Sequence, residues 1–165
     1  MYRKILVPMD GSETAESALS HVRAMSKASP PPEIVLLSVV EPKDWGSRYK
    51  WGDKSASDRL TEELKRWEAE ENERWLTEAG EYLTEMANLL AQDGITVKTA
   101  IVQGTPAEAI LDYARENRVD LIIMATHGRS GTARWALGSV TDKIMRAGEV
   151  PVLVVTAESR RKGQA

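Results

Sequence analysis

The sequence predicts an α/β fold: a single open five-stranded parallel sheet with helices on both faces. Three observations carry that expectation. Short apolar runs alternate with segments of helical periodicity from one end of the chain to the other. Two of the runs, Ile34-Val35-Leu36-Leu37-Ser38-Val39-Val40 and Leu121-Ile122-Ile123-Met124, are almost unbroken in their apolarity, as strands covered on both faces require. The second of them leads into a loop bearing Gly128, Gly131 and Gly138, and then into a helix. Strand, loop and helix in that order make a unit of a parallel sheet with right-handed crossovers.

Ile5-Leu6-Val7-Pro8-Met9 predicts the first strand. Asp10-Gly11-Ser12 is a turn, with Ser12 a helix N-cap and Glu13 and Glu16 complementing the dipole of the first turn. Ala15, Ala18, Leu19, Val22 and Met25 follow helical spacing up to the break at Ser29-Pro30-Pro31-Pro32. The second strand, Ile34 to Val40, ends at Glu41-Pro42.

Residues 43–57 are polar and turn-rich and carry Trp45, Tyr49 and Trp51. A long helix is expected from Asp58 to Ala91. Its back half shows a stripe of Leu76, Ala79, Leu83, Met86, Ala87 and Leu90. Its front half shows a thinner one of Leu60, Leu64, Trp67 and Trp75, rotated by roughly a quarter turn. The back half therefore packs on the sheet. The front half, with its charged run from Glu68 to Arg74, faces solvent or another surface, and the segment 43–75 is a candidate flap beside the second strand.

Ile95 to Val102 alternates, which suits a strand near a sheet edge. Thr105-Pro106-Ala107-Glu108 predicts a helix start with a cap, a proline at the first position and a capping box, and Ile110, Leu111 and Ala114 form its buried face. After the fourth strand and the glycine loop, Ser139 and Asp142 are spaced to cap a helix running from Val140 to Ala147. Pro151 then opens a fifth strand, Val152 to Val155. The expected organisation is one domain over residues 1–157 and a polar tail over 158–165.

Composition narrows the function classes. The 165 residues are 42% hydrophobic and 28% charged with a net charge of -3, so there is no basic footprint for nucleic acid. There is no cysteine, which removes disulfides, thiol catalysis and thiolate metal sites. No apolar run reaches membrane-spanning length. The opening Met1-Tyr2-Arg3-Lys4 does not read as a signal peptide, so a cytoplasmic location is expected.

The chemistry concentrates in two loops: Pro8-Met9-Asp10-Gly11 after the first strand, and Ala125 to Gly138 after the fourth. In such sheets ligands bind beyond the carboxyl ends of the strands where the strand order reverses. Neighbouring first and fourth strands would place the two loops across one crevice. Glycines admit close backbone approach, and a helix N-terminus suits phosphate. No lysine follows the glycines, so the loop is not a Walker A motif, and Gly128-x-x-Gly131 alone is no dinucleotide fingerprint. Ser130, His127 and Asp10 lack the setting of a nucleophile elbow.

These residues resemble the universal stress protein family of the nucleotide-binding kind. The resemblance rests on Ile5 to Ser12, Gly104 to Ile110, Met124 to Gly131, Gly138 to Lys143 and Val150 to Val155, nearly the whole chain. It implies a Rossmann-like fold, close to the adenine nucleotide alpha hydrolases, with strand order 3-2-1-4-5. The family's signature is Gly, two residues, Gly, nine residues, Gly-Ser/Thr. Gly128, Gly138 and Ser139 fit it, and Ala125 replaces the first glycine. A strand-like backbone at Ala125 would tolerate the methyl; a left-handed one would cost about 1 kcal/mol.

The resemblance implies ATP, or AMP or ADP, with Mg2+ or Mn2+ held through the phosphates. Asp10 would meet the ribose, and Pro8, Met9 and Val39 the adenine. Gly128, Arg129 and Gly131 would bring N–H groups to the phosphates, with Gly138, Ser139, Val140 and Thr141 at the terminal ones, and Ala125 and His127 belong to the same binding set. Each residue has a plainer role: Asp10 as turn former, Ser139 as cap, Val39 as core. No catalytic base is evident, so a regulatory ATP-binding module in the stress response, with slow or no hydrolysis, stands first. A protein-interaction module that binds no nucleotide and a weak ATPase or nucleotide-processing enzyme are the alternatives. The resemblance also implies a homodimer through Val152–Val155, alongside an unnamed protein partner.

Overall fold

The computed structural model describes residues 2–42, 54–127 and 138–157, with side chains for all of these except residues 54–61, His127 and Ala157. Five strands form one sheet: β1 (Lys4–Pro8), β2 (Glu33–Val40), β3 (Val97–Gln103), β4 (Leu121–His127) and β5 (Val152–Ala157). All pairings are parallel, and the order is β3-β2-β1-β4-β5, as expected. The chain works outward from β1 to β3, then returns to lay β4 on the other side of β1. That return is the point where the order reverses.

Burial follows the residue pattern. Along β1, Ile5 and Val7 enter one core layer and Leu6 the other, because successive side chains point to opposite faces. The first layer joins Ile5, Val7 and Ile123 to Ala15, Leu19, Val22, Leu83 and Leu90. Those last residues come from α1 (Glu13–Glu16), α2 (Leu19–Met25) and α3 (Lys54–Ala91). The second layer joins Leu6, Val35, Leu37, Ile122 and Met124 to Ala107, Ile110 and Ile144 of α4 (Pro106–Glu116) and α5 (Ser139–Ala147). Burying a Leu or Ile side chain contributes about 1.5–3 kcal/mol, so both layers hold the sheet firmly. β3, at an edge, has no buried residue: each of its positions is half-buried or exposed.

Three local expectations need correction. The first helix is divided into α1 and α2. The Ser17 hydroxyl donates to the Thr14 carbonyl at 2.7 Å, and the Ser17 and Ala18 amides bond three residues back, so the turn tightens there. At α4, Thr105 is the N-cap residue and Pro106 opens the helix, but the Thr105 side chain makes no capping bond. The Ala109 amide to the Thr105 carbonyl at 2.9 Å and the fixed proline φ suffice. At α5 the N-cap is Gly138, and Ser139 is already helical. The Asp142 amide donates to the Gly138 carbonyl at 2.9 Å, while the Asp142 carboxylate pairs with Arg146 at 2.7 Å instead of closing a cap.

The long helix α3 begins four residues before the expected Asp58 and ends at Ala91, as expected. Leu83, Met86 and Leu90 of the back stripe are buried, and Trp67 of the front stripe is 61% exposed. Arg74 pairs along the helix with Glu71 and Glu78. Of the suggested flap, residues 43–53 with Trp45 and Trp51 lie outside the described residues, and Lys54 to Trp75 is the front of continuous α3. Among the described residues, no helix is long and apolar enough to cross a membrane.

Candidate functional site

Between the carboxyl ends of β1 and β4 the molecule opens a cleft of about 330 Å³. Pro8, Met9 and Asp10 enter it from the end of β1, Val39 from β2 and Ala125 from β4. Gly138, Ser139, Val140 and Thr141 enter from the start of α5. The two loops are therefore brought face to face because β4 returns to pair with β1.

The β1 side is rigid for local reasons. Met9 is buried in the first core layer, and its amide donates to the Leu37 carbonyl at 2.8 Å, prolonging the β1–β2 ladder. Asp10 is exposed. Its Oδ1 accepts from the Ser12 amide at 3.0 Å and from the Ser12 hydroxyl at 2.6 Å. Ser12 Oγ in turn accepts from the Ala15 amide at 3.1 Å and caps α1. Gly11 between them has φ +78, a conformation that favours glycine. So Asp10 does form the turn, and it uses one oxygen for it. Its second oxygen has no partner among the described residues.

The β4 side answers the question posed by Ala125. Ala125 lies in register with Val155, and Arg118 is the one non-glycine residue with positive φ among the described residues. The Ala125 backbone is thus ordinary strand. Its methyl packs against the first core layer. The next residue, Thr126, is 8% exposed, and its Oγ1 accepts from the Gly138 amide at 3.2 Å.

The α5 side supplies donors. Among the described residues no side chain caps the helix, which leaves the amides of its first turn without a described side-chain partner at its positive end. Thr141 is 3% exposed, lines the cleft, and its hydroxyl has no partner among the described residues. The Thr141 hydroxyl and the amides of this turn face the same cleft, an arrangement that suits an anion acceptor.

On the first-layer side, Tyr82 of α3 has its hydroxyl enclosed without a well-aligned partner. Burial first, then the carboxylates of Glu16 and Asp10, hold this phenol well above its usual range, so it stays protonated.

Of the remaining expected residues, His127 ends β4 in register with Ala157, and its side chain lies outside the described ones. Gly128, Arg129 and Gly131 also lie outside the described residues. The cleft further contains Thr126, Pro106 and Ile110, which sequence reasoning did not single out. A signal existed for the last two. α4 follows the carboxyl end of β3, so its first turn falls at the same end of the sheet as the cleft.

Comparison with known proteins gives a consistent picture. The model of the universal stress protein family matches residues 1–156. The chain is 36% identical over 155 residues to universal stress protein MJ0577 of Methanocaldococcus jannaschii, across 94% of this chain and 95% of that protein. The solved structure of MJ0577 superposes with a TM-score of 0.74 over 96% of this chain and 99% of that one, at 34% identity. A universal stress protein solved in complex with cAMP has the same fold at 19% identity, with a TM-score of 0.54 over 94% of this chain and 97% of its own. So does an Arabidopsis thaliana family member solved with AMP bound, at 16% identity and a TM-score of 0.61 over 98% of this chain and 95% of its own.

Proposed function

This chain belongs to the universal stress protein family, and on that premise we propose that it is an adenine-nucleotide-binding regulatory module. The observation that carries the reading is the convergence of Asp10 with the uncapped α5 N-terminus and the unpartnered Thr141 across one cleft at the strand-order reversal. Its volume of about 330 Å³ falls at the small end of ligand pockets. The family members solved with cAMP and AMP point to the same ligand class.

Asp10 takes the ribose through its unused oxygen. Pro8, Met9 and Val39 form the apolar wall for adenine. Gly128, Arg129 and Gly131, flanked by Ala125 and His127, border the phosphates, and Ser139, Val140 and Thr141 receive the terminal ones at the helix start. Gly138 gives close approach there, its own amide being engaged. Any Mg2+ or Mn2+ would be brought by the nucleotide and held through its phosphates. The reading includes slow or no hydrolysis and a role read by a protein partner. The reading includes a homodimer through β5, a cytoplasmic location and a part in the stress response. The strand backbone at Ala125 removes the steric ground for a member that binds no nucleotide.

Replacing Asp10 tests the assignment. Asp10→Ala should weaken ATP binding by about 1–3 kcal/mol through loss of a charge-assisted hydrogen bond. Circular dichroism should show the fold retained. Unchanged affinity would leave Asp10 as a turn residue alone.

A further inference from the structure

Thr126 lies near the end of β4 and Gly138 at the start of α5, and a side-chain bond joins the two. The Gly138 amide donates to Thr126 Oγ1 at 3.2 Å, between residues twelve positions apart. We propose that Thr126 is a latch that positions the phosphate end of the nucleotide cleft, acting through Gly138 on the first turn of α5.

Thr126 is suited to hold a fixed point. It belongs to β4, in register with Thr156 of β5, and is 8% exposed. Its branched side chain has restricted χ1 freedom, so the hydroxyl direction is set by the strand. Gly138, at the other end, is the N-cap of α5, with its carbonyl accepting from the Asp142 amide at 2.9 Å. The latch thus connects the rigid sheet directly to the residue that starts the helix. A Cβ placed on Gly138 would stand 3.8 Å from Thr126 Oγ1 and 4.0 Å from Thr141 Oγ1. The Thr126 and Thr141 hydroxyls therefore flank this one backbone position, at the end of the cleft where the open helix amides lie.

Two consequences follow. The Gly138 amide is spent inside the protein, so the donors left for a terminal phosphate are the amides and hydroxyls further into the first turn. The end of β4 and the start of α5 are also held together before ligand arrives, so less ordering of these two points remains to oppose binding. The latch should matter for the phosphates and leave the adenosine end, built on β1 and β2, unaffected. It rests on the nucleotide reading of the cleft.

The test compares the unmodified protein with Thr126→Val and Thr126→Ser by titration calorimetry against ATP-Mg2+ and against adenosine. Valine keeps the branched shape and strand preference but removes the acceptor. Thr126→Val should bind ATP about ten-fold more weakly, with adenosine affinity changed by less than about two-fold. Thr126→Ser, which restores the hydroxyl, should stay within about three-fold of the unmodified protein for both ligands. Thr126→Val binding ATP as well or better, or losing ATP and adenosine equally, would overturn the latch. Amide exchange at Gly138 supplies a readout free of ligand: protection in the unmodified protein, and faster exchange in Thr126→Val. Equal exchange in both would also overturn it. An unmodified protein that binds neither ligand, with Gly138 protected, would instead defeat the nucleotide reading.

Discussion

Asp120 stands at the amino ends of the strands, the end opposite the cleft. Its Oδ2 accepts from the Arg3 amide at 2.7 Å and the Lys4 amide at 2.8 Å, tying the start of β1 to the start of β4. These two backbone bonds, Arg3 first, hold its carboxyl below the usual carboxylate range. A depressed folded value means stabilisation that is present above the unfolded value and lost as pH falls through the folded one. Asp120→Asn keeps an oxygen that can accept both amides but removes the charge. It should lower the melting temperature slightly at pH 7, and the difference from the unmodified protein should shrink below about pH 4. A difference that does not change with pH would show that the charge contributes nothing. Asp10 illustrates the complementary case at the cleft, where one carboxylate oxygen builds a turn and the other has no partner among the described residues.

Among the elements, those set by burial were readable and those set by competing polar partners were not. β2 announces itself as an apolar run because both its faces are covered, and β3 alternates because it lies at an edge. The back stripe of α3 is readable because Leu83, Met86 and Leu90 recur on one face. The cap of α5 falls at Gly138 and not at Ser139, and the Gly138 amide bonds to Thr126, twelve residues away. No local pattern around Ser139 carries that information. The division of α1 from α2 has a similar origin in the Ser17 hydroxyl.

The two edge strands differ in a way that bears on assembly. β3 presents Lys98, paired with Glu33 at 2.8 Å, while Val152 to Val155 of β5 are apolar, half-buried and uncharged. β5 pairs with β4 on one side only. An uncharged apolar edge invites a second strand, and a two-fold pairing closes on itself. Under the proposed dimer, sedimentation at micromolar concentration should give a dimer for the unmodified protein and a monomer for Val154→Lys. A monomeric unmodified protein would contradict it.

At the scale of the whole molecule, the candidate site exists because of topology. Asp10 and Thr141 are far apart in sequence and share a cleft only because β4 returns to β1 after β3 has been laid on the other side. The motifs in the chain identify which loops matter, and the strand-order rule brings them together. What the motifs do not reveal is the support behind them: Pro106 and Ile110 arriving from α4, and Thr126 holding the helix start. Those residues carry no glycine or charge to mark them, and they reach the site through the packing of α4 and through one long-range hydrogen bond. Calorimetric titration of ATP with Mg2+ into the unmodified protein is the most direct measurement of the central claim. Saturable heat with one nucleotide per chain, complete below about 1 mM, is the expected result. No heat of binding at millimolar ATP would contradict the account.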